Sequence, residues 1–437
     1  MRCAIVMILL LAVSSVGQAA SIAVPGDYSS LLAALDAAVA GDSVLVGPGT
    51  WTARDTRVIY ERGFPFTVTA CGFPSGGVTI VGTEGATATI IDGEHAGAAG
   101  ASFHLIFFGE QEGSGPLVLE GLTLTGAGGS PQNGGNAVAS AYNDGLTIRS
   151  CRFTGNTGTN QVDRAAIGAL HSRVVLEDCE FVGNQGDGGI IEVFDDDLTV
   201  RRCLFEGNDG GCVRAADSFV IVQDSQFIGN RGPGGGVCVD VTTTAGGFRI
   251  QRCLFAGNTA EIYEGGAVRV GGVSGDIEFC VFANDSCLAS LGAGLWWEDC
   301  TGNVRNNTFV GCSAVAGGVA VVAIGSGWMT FANNIVAGSQ GGEAVWASDA
   351  GSLHFGTGCN DFWSNVEGNT SGGWTLEPTD LLEDPLFCDD VNGNFTLQEN
   401  SPALVGACGQ IGALGEGCSD VSVDPTSWGR LKNYYRE

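Results

Sequence analysis

Short stretches of alternating apolar and polar residues recur along most of this 437-residue chain, and a phenylalanine usually marks each recurrence. The marker returns every 22 to 29 residues, and the stretch before it carries an apolar side chain at every second position. This alternation predicts a strand with one buried face. No interval holds a helical pattern long enough for a strand–helix–strand unit. The marker positions are Leu124, Phe153, Phe181, Phe205, Phe227, Phe255, Phe282, Phe309, Val336 and Phe362.

Two further positions keep register with the marker. A small or apolar residue, most often cysteine, stands two residues before it, and an asparagine follows many of the phenylalanines three residues later. We expect the phenylalanines to fill an interior and the cysteines to act as small buried hydrophobic groups. The asparagines suit a left-handed turn and can hydrogen-bond from one repeat to the next. The cysteines are Cys151, Cys179, Cys203, Cys253 and Cys280, and the asparagines are Asn156, Asn184, Asn208, Asn230 and Asn258.

Each repeat therefore holds about three short strands joined by turns, and it is too small to bury a core of its own. Stacked repeats can do so, with parallel strands about 4.8 Å apart. We predict an all-β parallel β-helix, a solenoid of about ten or more coils. Near the start, Leu31, Leu32, Leu35 and Val39 share one face of a predicted helix that ends at Gly41. An amphipathic helix at this position would cap the open N-terminal end of the solenoid.

The first residues have the pattern of a secretory signal peptide, because Arg2 precedes an apolar run that ends in Ala19 and Ala20. We predict a signal peptide over residues 1–20 and a protein exported to the extracellular space or the outer cell surface. No later apolar run is long enough to span a membrane as a helix. The other predicted boundaries are 21–50 for the cap helix and first strand, 51–375 for the coils, 376–420 for a closing segment and 421–437 for a basic aromatic tail.

The formal net charge of −29 at pH 7 argues against a nucleic acid partner, because phosphates would be repelled. At the turn before the cysteine row, the sign of the charge alternates from coil to coil. Opposite neighbours attract, and a slip of one coil would place like charges together. We assign these residues to strand register and not to catalysis. They are Arg149, Glu177, Asp178, Arg201, Arg202, Asp224, Arg252, Glu278 and Arg305.

Sixteen cysteines in an exported chain predict disulfide bonds. Neighbours along the cysteine row would have parallel side chains about 4.8 Å apart, which suits a disulfide poorly. The better candidates lie near the C-terminal end, and we predict the pairs Cys408–Cys418 and Cys359–Cys388. No C-x-x-C pair and no cluster of cysteine and histidine predicts a zinc site.

Several segments resemble a known group of proteins. The opening over 24–51, "TIIDG" at 89–93, "LVLEGLTLTGAGG" at 117–129 and the segment 384–404 are similar to right-handed parallel β-helix proteins of the pectin-lyase-like superfamily, of the secreted bacterial type. The "GGAV" unit at 265–268 resembles the repeats of polymorphic outer-membrane proteins. The resemblance implies a right-handed solenoid. It leaves the function open, because the superfamily includes lyases, hydrolases and adhesins.

Candidate chemistry is sparse. The "GHG" and "RIK" signatures of polygalacturonase-like hydrolases do not occur in the sequence. Asp195, Asp196 and Asp197 are the densest carboxylates, and they suit a solvated turn, a calcium site or a pair of groups for glycoside cleavage. Calcium is the one cofactor that the sequence suggests. The histidines have no partner at a spacing typical of catalysis, and we predict no catalytic role for them: His95, His104, His171 and His354.

Tryptophans offer a second candidate surface. Trp296 and Trp297 are adjacent on a predicted strand, so their side chains face opposite sides. We align Trp297 and Trp346 with Arg269 in one outward column, where exposed indole rings two coils apart would stack on sugar rings. The alternative is that a long loop covers these rings.

These observations favour a non-enzymatic role. We predict a secreted or surface-displayed solenoid that binds or presents a ligand, with a polysaccharide or another cell-surface component as partner. The alternative is a polysaccharide lyase, glycoside hydrolase or epimerase, and a third reading is a structural protein of the cell envelope. The tail over 421–437 predicts either a short helix that docks on the acidic solenoid or a sorting signal.

Overall fold

The computed structural model describes residues 19–61, 64–94, 102–109, 115–128, 136–158, 165–186, 189–232, 239–242, 246–262, 265–315, 317–348 and 352–418. Almost all of the predicted signal peptide, the tail over 421–437 and His95 lie outside these ranges. Among the described residues, no helix is long and apolar enough to cross a membrane.

The predicted parallel β-helix is confirmed. Within the described ranges, each full coil contributes one strand to each of three long sheets, and nearly all strand pairs are parallel. The exceptions are an antiparallel hairpin of Asp55–Glu61 and Phe64–Gly72 at the start of sheet 3 and the antiparallel pair Phe387–Asp389 and Asn394–Gln398 near the C-terminal end. The sheets hold 13, 12 and 13 strands in the described part of the chain.

Sheet 1 comprises Ser21–Val24, Ser43–Val46, Thr79–Gly82, Leu117–Glu120, Leu146–Arg149, Val174–Glu177, Leu198–Arg201, Phe219–Gln223, Gly247–Gln251, Ser274–Glu278, Thr301–Arg305, Ser326–Ala332 and Ser352–Gly358. Sheet 2 comprises Gly49–Trp51, Thr89–Asp92, Thr123–Thr125, Arg152–Thr154, Glu180–Val182, Leu204–Glu206, Gln226–Ile228, Leu254–Ala256, Val281–Ala283, Thr308–Val310, Ile335–Ala337 and Asp361–Trp363. Sheet 3 comprises Asp55–Glu61, Phe64–Gly72, Ser102–Phe108, Val138–Ala141, Ile167–Leu170, Ile191–Phe194, Val213–Ala216, Val239–Thr242, Val268–Gly271, Leu295–Glu298, Val321–Ile324, Val345–Ala347 and Thr370–Gly372.

Shorter elements complete the described chain. Two-residue strands follow the asparagine turns, at Thr157–Gly158, Gln185–Gly186, Arg231–Gly232, Thr259–Ala260, Ser286–Cys287 and Ser313–Ala314. The C-terminal segment holds the strands Phe387–Asp389, Asn394–Gln398 and Glu416–Cys418, the 3-10 helix Asp390–Asn392 and the α-helix Pro402–Val405.

The marker phenylalanines lie in the interior of the solenoid. Seven of them are fully buried in sheet 2, and each ring stacks on the ring of the next coil with centroids 4.5 to 5.0 Å apart. The strand spacing sets this distance, so the stack forms wherever neighbouring coils both carry phenylalanine. The stack runs through Phe153, Phe181, Phe205, Phe227, Phe255, Phe282 and Phe309.

The asparagines form a buried hydrogen-bond ladder at the turn after sheet 2. The Oδ1 atom of Asn184 accepts from the backbone N–H of Asn156 at 3.1 Å and from its Nδ2 at 3.0 Å. In turn, Nδ2 of Asn184 donates to Oδ1 of Asn208 and to the carbonyl of Phe153, both at 3.0 Å. The same pattern continues through Asn208, Asn230 and Asn258. Each side chain thus satisfies buried backbone groups of a neighbouring coil.

The turn between sheets 1 and 2 needs a left-handed residue, which is followed by the row of cysteines or Ser225. Asp178, Arg202, Asp224 and Arg252 hold φ values of 51° to 55° there. The row cysteines Cys151, Cys179, Cys203, Cys253 and Cys280 are buried and carry free thiols. Burial raises the pKa of the thiols of Cys151, Cys203 and Cys253 well above the ordinary value. A protonated, buried thiol is a poor nucleophile, so the row is a packing element.

The alternating charges at this turn pair between coils, as the sequence predicts. Arg149 contacts Glu177 at 3.3 Å, and Arg305 contacts Glu278 at 2.8 Å. The Arg202–Asp178 and Arg252–Asp224 pairs are bidentate. In each pair, two guanidinium nitrogens donate to the two oxygens of one carboxylate. Each exposed pair contributes only about 0–1 kcal/mol, so the set favours one register more than it stabilises the fold.

A helix lies at the N-terminal end, over Leu31–Ala37. The Ser30 hydroxyl accepts from the N–H of Ala33, which satisfies one of the free donors of the first turn. Leu31 and Leu35 are buried, and a Cβ atom at Gly72 would lie 2.5 Å from the Leu35 side chain, so the helix packs closely on the hairpin of sheet 3. The helix ends four residues before the predicted stop at Gly41, which leaves Val39 exposed.

The C-terminal segment lies along the outer face of sheet 2. Phe395 and Leu414 pack against Leu254 and Val281, whose side chains point away from the solenoid interior. Another cluster joins Leu397, Ala403 and Ile411 to Ile335 and Ala337. Outward positions of sheet 2 are more polar in earlier coils, as at Arg152, Glu180 and Glu206, and mostly apolar here, where the segment covers them.

The predicted disulfide pairing is wrong, although the four cysteines are the right ones. Cys359 bonds Cys408, and Cys388 bonds Cys418. The first bond joins a coil of the solenoid to the C-terminal segment, and the second closes that segment on itself. The two pairs follow from the fold-back of the segment onto sheet 2, which the spacing in the sequence does not indicate.

Candidate functional site

The outer face of sheet 3 carries a row in which most side chains are charged or aromatic. Strand register places Gly168, Glu192, Arg214, Asp240, Arg269, Trp296, Val322 and Trp346 in one outward column, one residue per coil. We call this row the sheet-3 column. The inward neighbours of these residues are apolar and buried, as the two-residue period of a strand requires. The charged groups of the column therefore stand on strands whose opposite face packs in the core.

Charges alternate in the first half of the sheet-3 column. Arg214 lies 3.3 Å from the Glu192 carboxylate and 3.9 Å from the Asp240 carboxylate. The Glu192 side chain is only 1% exposed, whereas the Arg214 side chain is 48% exposed. Arg269 contacts Glu298 at 3.4 Å, and the same carboxylate accepts from the Trp296 indole at 3.2 Å. Two cations are thus held on an acidic protein by carboxylates beside them.

The second half of the column is aromatic, and here the sequence alignment was off by one residue. Trp296, and not Trp297, lies beside Arg269 in the outward column. Trp297 is fully buried and meets Phe248 edge-on with ring centroids 5.7 Å apart, so the predicted binding role of Trp297 is wrong. Trp346 does lie in the outward column and is half-buried. The binding role predicted for Trp346 stays a prediction.

Trp296 is nearly covered by the chain that leads into its own strand. A Cβ atom at Gly292 would lie 3.3 Å from the Trp296 ring, and one at Gly318 would lie 2.9 Å from the Trp346 Cβ. Both glycines have φ of 74°, which favours glycine. The chain before each strand therefore approaches Trp296 and Trp346, whereas the covering loop considered for Trp297 does not apply, because that ring lies in the interior.

A second group lies at the corner that follows sheet 3. Tyr142, His171 and Asp195 occupy the same left-handed corner position in three successive coils, with φ values of 50°, 47° and 57°. The Tyr142 and His171 rings lie 4.9 Å apart, and Nε2 of His171 lies 3.6 Å from Oδ2 of Asp195. All three side chains remain partly exposed. A histidine oriented by a carboxylate and placed beside a phenol is an arrangement suited to proton transfer.

The sequence did not reveal this group, because 24 residues separate His171 from Asp195. The coil length brings them together, and the only available signal was the position of each residue just after a sheet-3 strand. By register, the Cα atoms of His171 and Arg214 are roughly 14 Å apart, from a strand spacing of about 4.8 Å and a rise of about 3.3 Å per residue. The corner group and the sheet-3 column therefore border one surface.

The three consecutive aspartates do not converge. Asp195 turns toward His171, and an Asp196 carboxylate oxygen accepts from the backbone N–H of Asp197 at 2.7 Å. Among the described residues, no group of three or more histidine, cysteine, aspartate or glutamate side chains has the arrangement of a metal site. The calcium site predicted at Asp195, Asp196 and Asp197 gains no support from this geometry.

Two other histidines have separate environments. His104 is buried, and desolvation lowers its pKa to about 4, so the ring is neutral. Its Nδ1 atom accepts from the backbone N–H of Asn136 at 3.0 Å. His354 lies on the outer face of sheet 1 beside Trp328. His171 is the one of these described histidines that contacts a carboxylate, and the expectation that the histidines have no catalytic role stays a prediction.

Comparison with known proteins finds a family model that matches part of the coils. Residues 77–259 match the family model described as "Right handed beta helix region". A search of curated proteins finds no match. Similar solved structures include a pectate lyase, Pel9A, at 12% identity and a TM-score of 0.46, covering 92% of this chain and 98% of that one.

Two more solved structures are among the similar ones. The A-module of the mannuronan C-5 epimerase AlgE4 from Azotobacter vinelandii shares 15% identity at a TM-score of 0.41, over 85% of this chain and 98% of that one. A PL6 alginate lyase in complex with a trisaccharide shares 13% identity at a TM-score of 0.43, over 94% and 98%. Scores this low carry no argument about the activity of this chain. The matched residues 77–259 therefore form a right-handed β-helix region, in agreement with the stacked parallel strands of the three sheets.

Proposed function

We propose that this protein processes a uronate-containing polysaccharide on the outer face of sheet 3. The carrying observation is the contact of His171 with Asp195 on the same surface as Arg214 and Arg269. Removal of the proton beside a sugar carboxylate needs a base, and the charge that develops there needs a nearby cation. This face offers both kinds of group. The proposal takes up the enzymatic alternative in place of the non-enzymatic role favoured by the sequence.

The roles follow from the contacts. With its proton on Nε2, which lies 3.6 Å from the Asp195 carboxylate, His171 keeps a lone pair on Nδ1 that can take the C5 proton of the uronate. Arg214 is always charged, and its exposed side chain can pair with the sugar carboxylate. The Tyr142 hydroxyl can give a proton to the leaving O4 when the C4–O bond breaks. Return of a proton to the opposite face of C5 without that cleavage would instead invert the sugar.

The place of action proposed is outside the cell, which rests on the predicted signal peptide. A binding-only function is the second candidate, and Trp346 favours it because a half-buried indole in the outward column suits stacking on a sugar ring without any chemistry.

The test is incubation of the purified protein with alginate, mannuronan and polygalacturonate. Unsaturated products are read by ultraviolet absorbance and inverted C5 centres by proton NMR. We expect product formation, and His171→Asn should lower its rate by about 100-fold or more. Asp299→Asn is the matched control, because Asp299 occupies the same left-handed corner position in a later coil but binds Ser326.

Either of two results would contradict the proposal. If the unaltered protein forms no product from any of the three polymers, the processing function is wrong, and retention on the polymers would then favour binding alone. If products form but His171→Asn reacts as fast as Asp299→Asn, the proton transfer occurs elsewhere.

A further inference from the structure

A different surface, the outer face of sheet 1, carries two exposed aromatic side chains in one column. Strand register aligns Phe219, Gly247, Ser274, Thr301, Trp328 and His354, one residue per coil. Phe219 is 41% exposed and Trp328 is 47% exposed. Four strand spacings separate them, or about 19 Å along the solenoid axis. We call this row the sheet-1 column.

Both aromatic rings lie against glycine positions. A Cβ atom at Gly247 would lie 3.0 Å from the Phe219 ring, and one at Gly356 would lie 3.5 Å from Cζ2 of Trp328. The absence of a side chain at Gly247 and Gly356 leaves room for each ring close to the neighbouring strand, and both residues keep a large exposed fraction.

The Trp328 ring is held in place before any ligand arrives. Its Nε1–H donates to the Thr330 hydroxyl at 3.3 Å, and the His354 ring lies beside it at 6.0 Å between centroids. The indole N–H is therefore already used within the protein, and the ring face is what remains for a partner. An aromatic group that loses little freedom on binding suits recognition.

Small polar groups fill the stretch between the two rings. Ser274 and Thr301 are exposed in the same column, and the neighbouring column carries Arg249, Asp276 and Asn303, with one positive and one negative charge. Asn303 donates to Asp276 from its backbone N–H at 3.1 Å and from Nδ2 at 2.5 Å. The surface between the rings therefore carries hydroxyl groups and has no excess of positive charge.

We propose that the sheet-1 column binds an extended, uncharged polysaccharide that lies parallel to the solenoid axis. Sugar rings present apolar C–H faces, which stack on aromatic rings, and hydroxyl groups, which bond to small polar side chains. A ligand that reaches both rings must span about 19 Å, which requires a chain of several sugar units. The absence of a cation excess among these residues favours a neutral chain over a uronate polymer. This site goes beyond the function proposed for sheet 3 and does not require it.

The test is isothermal titration calorimetry of the full-length mature protein with cellohexaose, xylohexaose and mannohexaose. We expect at least one of these neutral hexasaccharides to bind. Trp328→Ala should then weaken binding by about tenfold or more, and Phe219→Ala by a smaller factor. Trp363→Ala is the matched control, because Trp363 is 38% exposed but lies on sheet 2, and it should bind as the unaltered protein does.

Thermal unfolding of each variant separates binding from folding. The proposal is overturned if none of the three sugars binds, or if Trp363→Ala loses as much affinity as Trp328→Ala. It is also overturned if Trp328→Ala lowers the unfolding temperature but keeps full affinity, because the ring would then serve only to cover the sheet. Neutral hexasaccharides contain no uronate, so failure here leaves the processing assay on sheet 3 unaffected, and the reverse also holds.

Discussion

The Nδ2 group of Asn258 donates to Oδ1 of Asp285 at 2.9 Å, so the buried asparagine ladder meets a carboxyl group. Asp285 takes the position three residues after Phe282 that asparagine takes in the coils before it. Oδ1 also accepts from the backbone N–H of Asn258 at 2.9 Å. Oδ2 is buried and has no hydrogen-bond partner among the described residues. A neutral carboxyl group can occupy this place, but an ionised one is costly there.

Stability should therefore fall as the pH rises through the range that Asp285 controls. Burial raises the pKa of Asp285 from 3.8 to about 7. Between these values the folded state holds a proton that the unfolded state has lost, so each increase in pH favours unfolding. The loss approaches about 4 kcal/mol and is complete above about pH 7. Asp361 acts in the same direction, because burial also raises its pKa to about 7.

Asp285→Asn should remove the part of this dependence that Asp285 contributes and leave the part due to Asp361. We expect a higher guanidinium unfolding midpoint than that of the unaltered protein at pH 8, and no difference at pH 4, where the native carboxyl group is already neutral. Asp209→Asn is the control, since Asp209 is exposed. Equal effects of Asp285→Asn at both pH values would show that the carboxyl group is not the cause.

The middle of the ladder should be sensitive to truncation. Asn208→Ala removes hydrogen bonds to Asn230, to the carbonyl of Phe181 and to both donors of Asn184. Each buried group left without a partner costs about 1–3 kcal/mol. We expect a clear drop in the unfolding midpoint, with Asn208→Asp at low pH intermediate, because a neutral carboxyl group keeps the acceptor. An unchanged midpoint would mean that water replaces the side chain.

Substitution of Trp297 and of Trp346, the two tryptophans that the sequence predicts to bind sugar, should have different effects on stability and on binding. Trp297→Ala empties a buried site next to Phe248 and should cost about 3–5 kcal/mol of stability. Trp346→Ala alters a half-buried ring in the sheet-3 column and should reduce retention on uronate polymers with a smaller loss of stability. Thermal unfolding and affinity electrophoresis of both variants check this. Equal losses of stability would contradict it.

The disulfide pairs can be read directly by peptide mapping without reduction. We expect peptides that join Cys359 to Cys408 and Cys388 to Cys418. Cys408→Ser should free the thiol of Cys359 and leave the second bond intact. Loss of the first bond should lower stability by about 2–4 kcal/mol, because it closes a loop over a sequence separation of 49 residues. A peptide joining Cys408 to Cys418 would refute the arrangement.

Most of the fold could be predicted from the repeat in the amino-acid sequence. The spacing of the phenylalanines, the cysteines before them and the asparagines after them predicts strands, turns and stacking, since each coil repeats the same local chemistry. The alternating charges likewise predicted which turns are neighbours. These features are local or recur with the repeat. They can therefore be predicted from the amino-acid sequence alone.

The candidate site depended on tertiary structure. His171 and Asp195 meet because their coils place both at the same corner, and the outward column contains Trp296 because strand register decides between adjacent tryptophans. The C-terminal segment shows the same limit, for its fold-back onto sheet 2 brings Cys359 to Cys408. By itself, the sequence determined that coils stack, through repeated short-range patterns. Only the tertiary structure decided which distant side chains share a surface, because those contacts depend on register and coil length together.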